Sequence, residues 1–76
     1  MKIEKSQVGE VLSMLFKEKQ KVEMATLIGK EIDTTKLREI SVSLNESMPE
    51  MFNFNVGGSV AVLMDSIMGF EKKYRP

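Results

Sequence analysis

The octet LREISVSL at residues 37–44 separates two folds that this chain could adopt. Apolar and polar residues alternate from Ile40 to Leu44, which is the period of a half-buried β-strand. Leu37, Ile40 and Leu44 also lie on one face of an α-helix, and Met48 extends that face. Branched side chains lose rotamer freedom in a helix, and serines compete for its backbone hydrogen bonds. The residue chemistry of the octet therefore favours a strand.

The preceding segment, residues 21–32, shows the same ambiguity. Four positions alternate in the manner of a strand: Val22, Met24, Thr26 and Ile28. Four overlapping positions fit a helical face: Met24, Leu27, Ile28 and Ile32. The turn between two strands could form at Gly29-Lys30 or at Asp33-Thr34. We therefore predict two strands within residues 21–45, and two helices there are the alternative.

The helix before this segment is predicted from apolar residues at helical spacing, namely Val8, Val11, Leu12, Leu15 and Phe16. Ser6 can cap this helix, because its hydroxyl can accept a hydrogen bond from an amide of the first turn. We predict a helix from about Ser6 to Lys19 or a little beyond, with Lys19 itself off the apolar face.

The last element is predicted to be a helix from about Val56 to Lys73. Its main apolar stripe contains Val56, Val60, Leu63, Ile67, Phe70 and Tyr74. Further apolar residues widen that stripe, namely Ala61, Val62, Met64 and Met68, and only a narrow polar seam around Asp65 remains. A helix that is apolar on nearly all sides should be buried on more than one of them. A 76-residue chain has little material for this, so we expect a second protein molecule to cover part of the helix.

The favoured fold is therefore a small α+β domain spanning residues 1–76, with the order helix, strand, strand, helix and the last helix laid across the sheet. The alternative is an all-α bundle of three or four helices. A helical content above about two-thirds would contradict the α+β fold, because the average for globular proteins is about one-third.

The composition narrows the classes of function. The chain has no cysteine and no histidine, which excludes disulfides, zinc sites and most transition-metal sites, and we expect no cofactor. Small domains without such supports commonly associate, so we expect a homodimer or larger homo-oligomer, or a tight protein partner. Eleven basic and eleven acidic residues give no net charge, which disfavours nucleic-acid binding.

The distribution of apolar residues also bears on location. The charged amino-terminal residues are not followed by the apolar run of a signal peptide. The longest strongly apolar run extends from Val60 to Met64, too short to span a membrane. We therefore expect a cytoplasmic protein that does not cross a membrane.

Catalysis is not expected, because the commonest general base and the strongest nucleophile are both missing. Methionines and phenylalanines are instead candidates for a partner-binding or oligomer surface, since methionine is adaptable and frequent on binding surfaces. The predicted partner-binding residues are Met48, Met51, Phe52, Phe54, Met64 and Met68. Core packing is the equal alternative for the members between residues 48 and 54.

A second candidate site lies where the last helix is predicted to start. Asn55, Gly57, Gly58 and Ser59 could bind an anion through exposed amides and the helix dipole. The alternative is that the two glycines only allow close packing of the helix start.

The last helix also resembles the central-helix region of hotdog-fold thioesterases. The family pattern of a glycine pair, a leucine, an aspartate and a glycine is met by Gly57, Gly58, Leu63, Asp65 and Gly69. The resemblance implies a helix wrapped by a curved sheet in a dimer, with Asp65 assisting the hydrolysis of acyl-coenzyme-A thioesters. The histidine that commonly precedes the glycine pair is Val56 here, and the match covers only the first half of such a fold.

These observations lead to two hypotheses of function. The favoured one is a small interaction module or regulator that acts by binding a partner protein, as a homo-oligomer. The alternative, which follows from the resemblance, is an acyl-thioester hydrolase or acyl-ligand binder that uses Asp65.

Overall fold

A computed structural model describes residues 2–74, except for the side chain of Tyr74. A 3₁₀ turn at Lys5–Gln7 leads into three helices, α1 (Val8–Leu27), α2 (Thr35–Ser47) and α3 (Val60–Tyr74). The chain is 69% helical and has no strand within the described residues. The α+β prediction is therefore wrong, and the all-α alternative describes the fold.

The octet at 37–44 is helical because its helical face is the one that becomes buried. Leu37, Ile40 and Leu44 all lie in the core of the molecule. Ser41 is fully buried beside them, and its hydroxyl donates a hydrogen bond of 2.9 Å to the carbonyl of Leu37 one turn earlier. The serine is thus satisfied inside the helix, so its competition for the backbone does not disrupt α2.

The segment at 21–28 is also helical, since α1 continues unbroken to Leu27. Its apparent alternation has no structural counterpart, because Val22 is buried whereas Met24 and Ile28 are exposed. Lys19 is buried as well, contrary to its predicted place off the apolar face. It follows Leu15 by four residues, which continues the buried stripe of α1.

Both predicted turn positions lie in the connection between α1 and α2, where they serve helix ends. Gly29 has a φ of 70°, and its amide bonds to the carbonyl of Thr26 while the amide of Lys30 bonds to Ala25. This pair of bonds is the Schellman motif that closes a helix. Asp33 accepts a hydrogen bond of 3.0 Å from the amide of Thr35, and the bonds from Thr35 lower the pKa of Asp33.

The core lies where the three helices meet the segment between α2 and α3. Twelve apolar side chains form it: Ile3, Val11, Leu15, Val22, Leu37, Ile40, Leu44, Met48, Phe52, Phe54, Leu63 and Ile67. Phe52, Phe54 and Phe70 form an aromatic cluster with ring centroids 5.0–5.9 Å apart. Such contacts stabilise a core beyond the area that they bury.

Residues 48–58, here called the anchored segment, are tied to α2 by two polar side chains. The side-chain amide of Asn45 accepts a hydrogen bond of 2.9 Å from the amide of Phe54 and donates one of 2.8 Å to its carbonyl. The guanidinium of Arg38 donates to the carbonyls of Val56 and Gly58. These bonds satisfy backbone that has left the helical ladder. They explain why α3 starts at Val60 and not at Val56 as predicted.

Candidate functional site

An apolar groove lies between the second half of α1 and the first half of α3. The two helices run antiparallel, since the end of α1 lies beside the start of α3 and Lys19 reaches Glu71 near the other end. The groove has a volume of about 450 Å³. Its walls are formed by Val22, Glu23, Thr26 and Leu27 of α1, by Ile32 of the connection, and by Val60, Ala61, Met64 and Met68 of α3.

The geometry of α3 explains how one helix supplies both a core face and a groove face. Leu63 and Ile67 are fully buried and belong to the core. Val60, Met64 and Met68 follow a spacing of four residues and line the groove beside that buried face. Val62 is exposed and does not line the groove.

The groove keeps large apolar side chains in contact with solvent. Leu27, on the groove wall, is 81% exposed, the highest value among the large hydrophobic residues of the described part of the chain. Ile28 follows it and is 57% exposed, but it does not line the groove. Ile32 and Met68 are each slightly more than one-third exposed. Isolated apolar residues on a surface are common, but a contiguous set with a concave centre is typical of an interaction site.

Charged side chains of both signs lie around the groove, and Glu23 forms part of its wall. Glu31 and Asp33 flank Ile32 in the sequence and are exposed, but they line a separate depression together with Lys21 and Lys36. Lys72 and Lys73 lie in the last turn of α3. From Val60 to Lys72 the helix rises about 18 Å, so Lys72 is separated from the end of the groove at Val60 by more than a Debye length at physiological salt.

A largely buried ion pair links the two walls of the groove at the end where Met68 lies. The ammonium of Lys19 on α1 binds the carboxylate of Glu71 on α3, and Glu23 lies 3.7 Å from the same ammonium. The side chains of Lys19 and Glu71 are 10% and 15% exposed, so water screens their attraction only weakly. The pair holds α1 and α3 in register.

The structure divides the six predicted partner-binding residues between core and surface. Met48, Phe52 and Phe54 are buried in the core. Met51 is exposed on the turn that follows α2. Met64 and Met68 line the groove, so two of the six lie together at the candidate site.

The residues predicted to bind an anion have structural roles at the start of α3. The hydroxyl of Ser59 accepts a hydrogen bond of 3.3 Å from the amide of Val62, which makes Ser59 the cap of the helix. The carbonyl of Gly58 accepts a bond from Arg38. A Cβ at Gly58 would lie 3.4 Å from Asn55 Oδ1 and from Val62, whereas Gly57 has open space around it. Anion binding at these residues stays a prediction.

Asp65 lies on the exposed side of α3 and does not line the groove. The curved sheet that the thioesterase resemblance implies around this helix does not occur in residues 2–74, where the described elements are helices and turns.

Within the described residues, no group of three or more acidic, histidine or cysteine side chains could hold a metal ion. None of the helices in that part of the chain has the length and apolar character needed to cross a membrane.

Sequence reasoning missed four residues that matter for this site. Leu27 and Ile32 were assigned only to an ambiguous segment, although both belonged to the helical face considered there. Arg38 and Asn45 were not singled out, because nothing local in the sequence shows that their side chains bind backbone 9 to 20 residues away.

Comparisons of this chain with protein families, with curated proteins and with solved structures find no match.

Proposed function

We propose that this protein is a small interaction module that binds another protein molecule through the groove between α1 and α3. The observation that carries the proposal is the contiguous exposure of Leu27, Ile32 and Met68 around a concave apolar centre. Covering apolar surface is favourable by roughly 25 cal/mol per Å², which makes such a groove adhesive for a matching apolar surface.

A larger depression of about 690 Å³ lies over α2, and it is the less suitable site. Charged side chains surround its apolar surface, including Lys36, Glu39 and Glu46. Arg38 also lines it, but its guanidinium already binds the carbonyls of Val56 and Gly58. The groove has a more apolar lining and is formed by two helices that an ion pair holds in place.

Site-specific photo-crosslinking tests the proposal in the cells that make the protein. Benzoylphenylalanine in place of Leu27, on the groove wall, should form a covalent adduct with a protein when it is irradiated. The matched control replaces Met24, which is 57% exposed on the same helix but does not line the groove.

The expected result is an adduct at position 27 that is absent at position 24 and is suppressed by Met68→Lys on the opposite wall. A charged side chain at Met68 should prevent burial of the groove, because an unpaired charge is costly to desolvate. Equal adduct formation at positions 27 and 24, or no protein adduct at position 27, would contradict the proposal.

A further inference from the structure

We propose that Met68 is a site of oxidation by peroxides, and that its sulfoxide prevents the groove from binding an apolar surface. The inference rests on the proposed function and adds a regulation of the same site. Three observations support it: the kind of sulfur that the chain contains, the exposure of Met68, and the position of Met68 between the groove and a charged depression.

Methionine supplies all of the sulfur of this chain, which has seven methionines and no cysteine. A peroxide that reaches the protein therefore meets thioethers and no thiol, and exposure decides which thioether reacts. Two methionines line the groove, Met64 and Met68. Met68 is exposed, whereas Met64 is partly buried against the core. Met68 is thus the more accessible methionine of the groove.

The reaction at Met68 transfers two electrons from sulfur to the peroxide. A lone pair of the sulfur attacks one oxygen of hydrogen peroxide, so that an S–O bond forms while the O–O bond breaks. The departing hydroxide takes up the proton of the transferred oxygen and leaves as water. The thioether is oxidised to a sulfoxide, and an apolar side chain becomes a polar one.

A sulfoxide at Met68 interrupts the apolar wall of the groove. Met68 belongs to the row of α3 residues, spaced by four, that lines the groove together with Val60 and Met64. When an apolar surface covers this row, a sulfoxide in it loses its water, and burial of a polar group without a new hydrogen bond is costly. Oxidation therefore weakens the binding of any apolar surface that contacts Met68.

The charged depression beside the groove stabilises the oxidised side chain. Met68 also lines this depression, together with Lys19, Glu71 and Lys72. Lys72 follows Met68 by four residues, which places the two side chains on the same face of α3. The ammonium of Lys72 can donate a hydrogen bond to a sulfoxide oxygen, whereas a thioether sulfur is only a weak acceptor. Such a bond draws a charged group towards the groove in the oxidised protein.

The test compares Met68 with a methionine of equal exposure outside the groove. Met68 is 38% exposed and Met14 is 39% exposed, but Met14 lines the depression over α2. The variants are Met68→Leu and Met14→Leu, each in the full chain, because leucine is apolar, has nearly the volume of methionine and carries no sulfur. Each protein is treated with hydrogen peroxide, peptide mass spectrometry measures the sulfoxide at each methionine, and circular dichroism checks that the helices persist.

Binding of the neutral apolar dye Nile red reports on the groove, and Met68→Lys shows which part of the signal comes from it. In the wild type, Met68 and Met14 should be oxidised at similar rates, and the dye should then bind about tenfold more weakly. Met14→Leu should lose dye binding in the same way, whereas Met68→Leu should keep it. The photo-adduct at position 27 should follow the same pattern when the cells are exposed to the peroxide.

Four outcomes would overturn the inference. The first is dye binding to the untreated protein that does not depend on Met68, and the second is a Met68 that stays reduced while Met14 is oxidised. The third is unchanged dye binding after Met68 has been oxidised, and the fourth is a Met68→Leu variant that loses dye binding as fully as the wild type. Dye binding that depends on the oxidation of Met68, without a protein adduct at position 27 before treatment, would overturn the proposed function alone. A protein adduct that survives oxidation of Met68 would overturn the inference alone.

Discussion

The anchored segment and the groove both contain methionine and bulky apolar residues, yet Met48, Phe52 and Phe54 of the first are buried whereas the second faces solvent. In the anchored segment, Phe52 and Phe54 pack on Phe70 while Asn45 and Arg38 bind the backbone around them. In the groove, Leu27 and Met68 contact water. Apolar content therefore does not decide which region becomes core. An irregular segment can be buried only where polar side chains satisfy its free amides and carbonyls.

The largest expected effect is on the anchored side, at Phe52. Its ring is 1% exposed, so Phe52→Ala should lower the free energy of unfolding by about 3–5 kcal/mol. A chain of this length is stable by only about 4–11 kcal/mol, which makes the loss a large fraction of the total. The measurement is urea unfolding followed by far-UV circular dichroism.

The neighbour of Phe52 provides the matched control. Met51 is 46% exposed, so Met51→Ala should change stability by less than about 0.5 kcal/mol. If both variants lost the same free energy of unfolding, Phe52 would contribute no more to the core than the exposed Met51 does.

The next largest effect concerns the hydrogen bonds that permit this burial. Asn45→Ala removes both bonds to Phe54 and leaves the amide and the carbonyl of that residue unsatisfied, which should cost about 2 kcal/mol. Asn53→Ala, at an exposed position of the same segment, should have little effect. If Asn45→Ala proved neutral by urea unfolding, the contrast between the two regions could not be explained by backbone satisfaction.

The smallest effect is expected in the groove. Leu27→Lys should change the stability of the monomer by less than about 0.5 kcal/mol, because most of the side chain is already in water. The unfolding curve is measured at a dilution where association is negligible. Leu44→Lys, at a fully buried position of α2, is the contrasting variant and should prevent folding. A large loss for Leu27→Lys would place Leu27 in the core and remove the basis of the proposed site.

The sequence predicted part of this arrangement through helical periodicity. Val11 and Leu15 were correctly assigned to a buried stripe of α1, and the helix containing Leu63 and Ile67 was correctly expected. The predicted start of this helix, at about Val56, was wrong, since α3 begins at Val60. The carbonyls of Val56 and Gly58 bind Arg38, which is 18–20 residues earlier in the chain, and not amides of the helix.

The two predicted strands failed for a different physical reason. Propensity treats Ser41 as unfavourable in a helix, but its hydroxyl bonds to the carbonyl of Leu37 and the buried face of α2 compensates for the branched side chains. The alternation that includes Val22 and Met24 did not indicate one face of a strand, since Val22 is buried and Met24 is exposed. Two of the six predicted binding residues, Met64 and Met68, lie at the groove. The other four do not line it, because periodicity identifies an apolar face but does not show whether the same chain covers that face.

The sequence separation of the residues that bind one another also bears on the order in which the helices fold together. The connection of α1 and α2 is short and is closed by local bonds at Gly29 and Asp33, which favours rapid formation of a helical hairpin. The bond between Lys19 and Glu71 spans 52 residues, so loop-closure entropy must be overcome before it forms. We therefore expect docking of α3 to be a late step of folding. Because α3 supplies one wall of the groove, we expect the proposed association to be restricted to molecules in which α3 has docked.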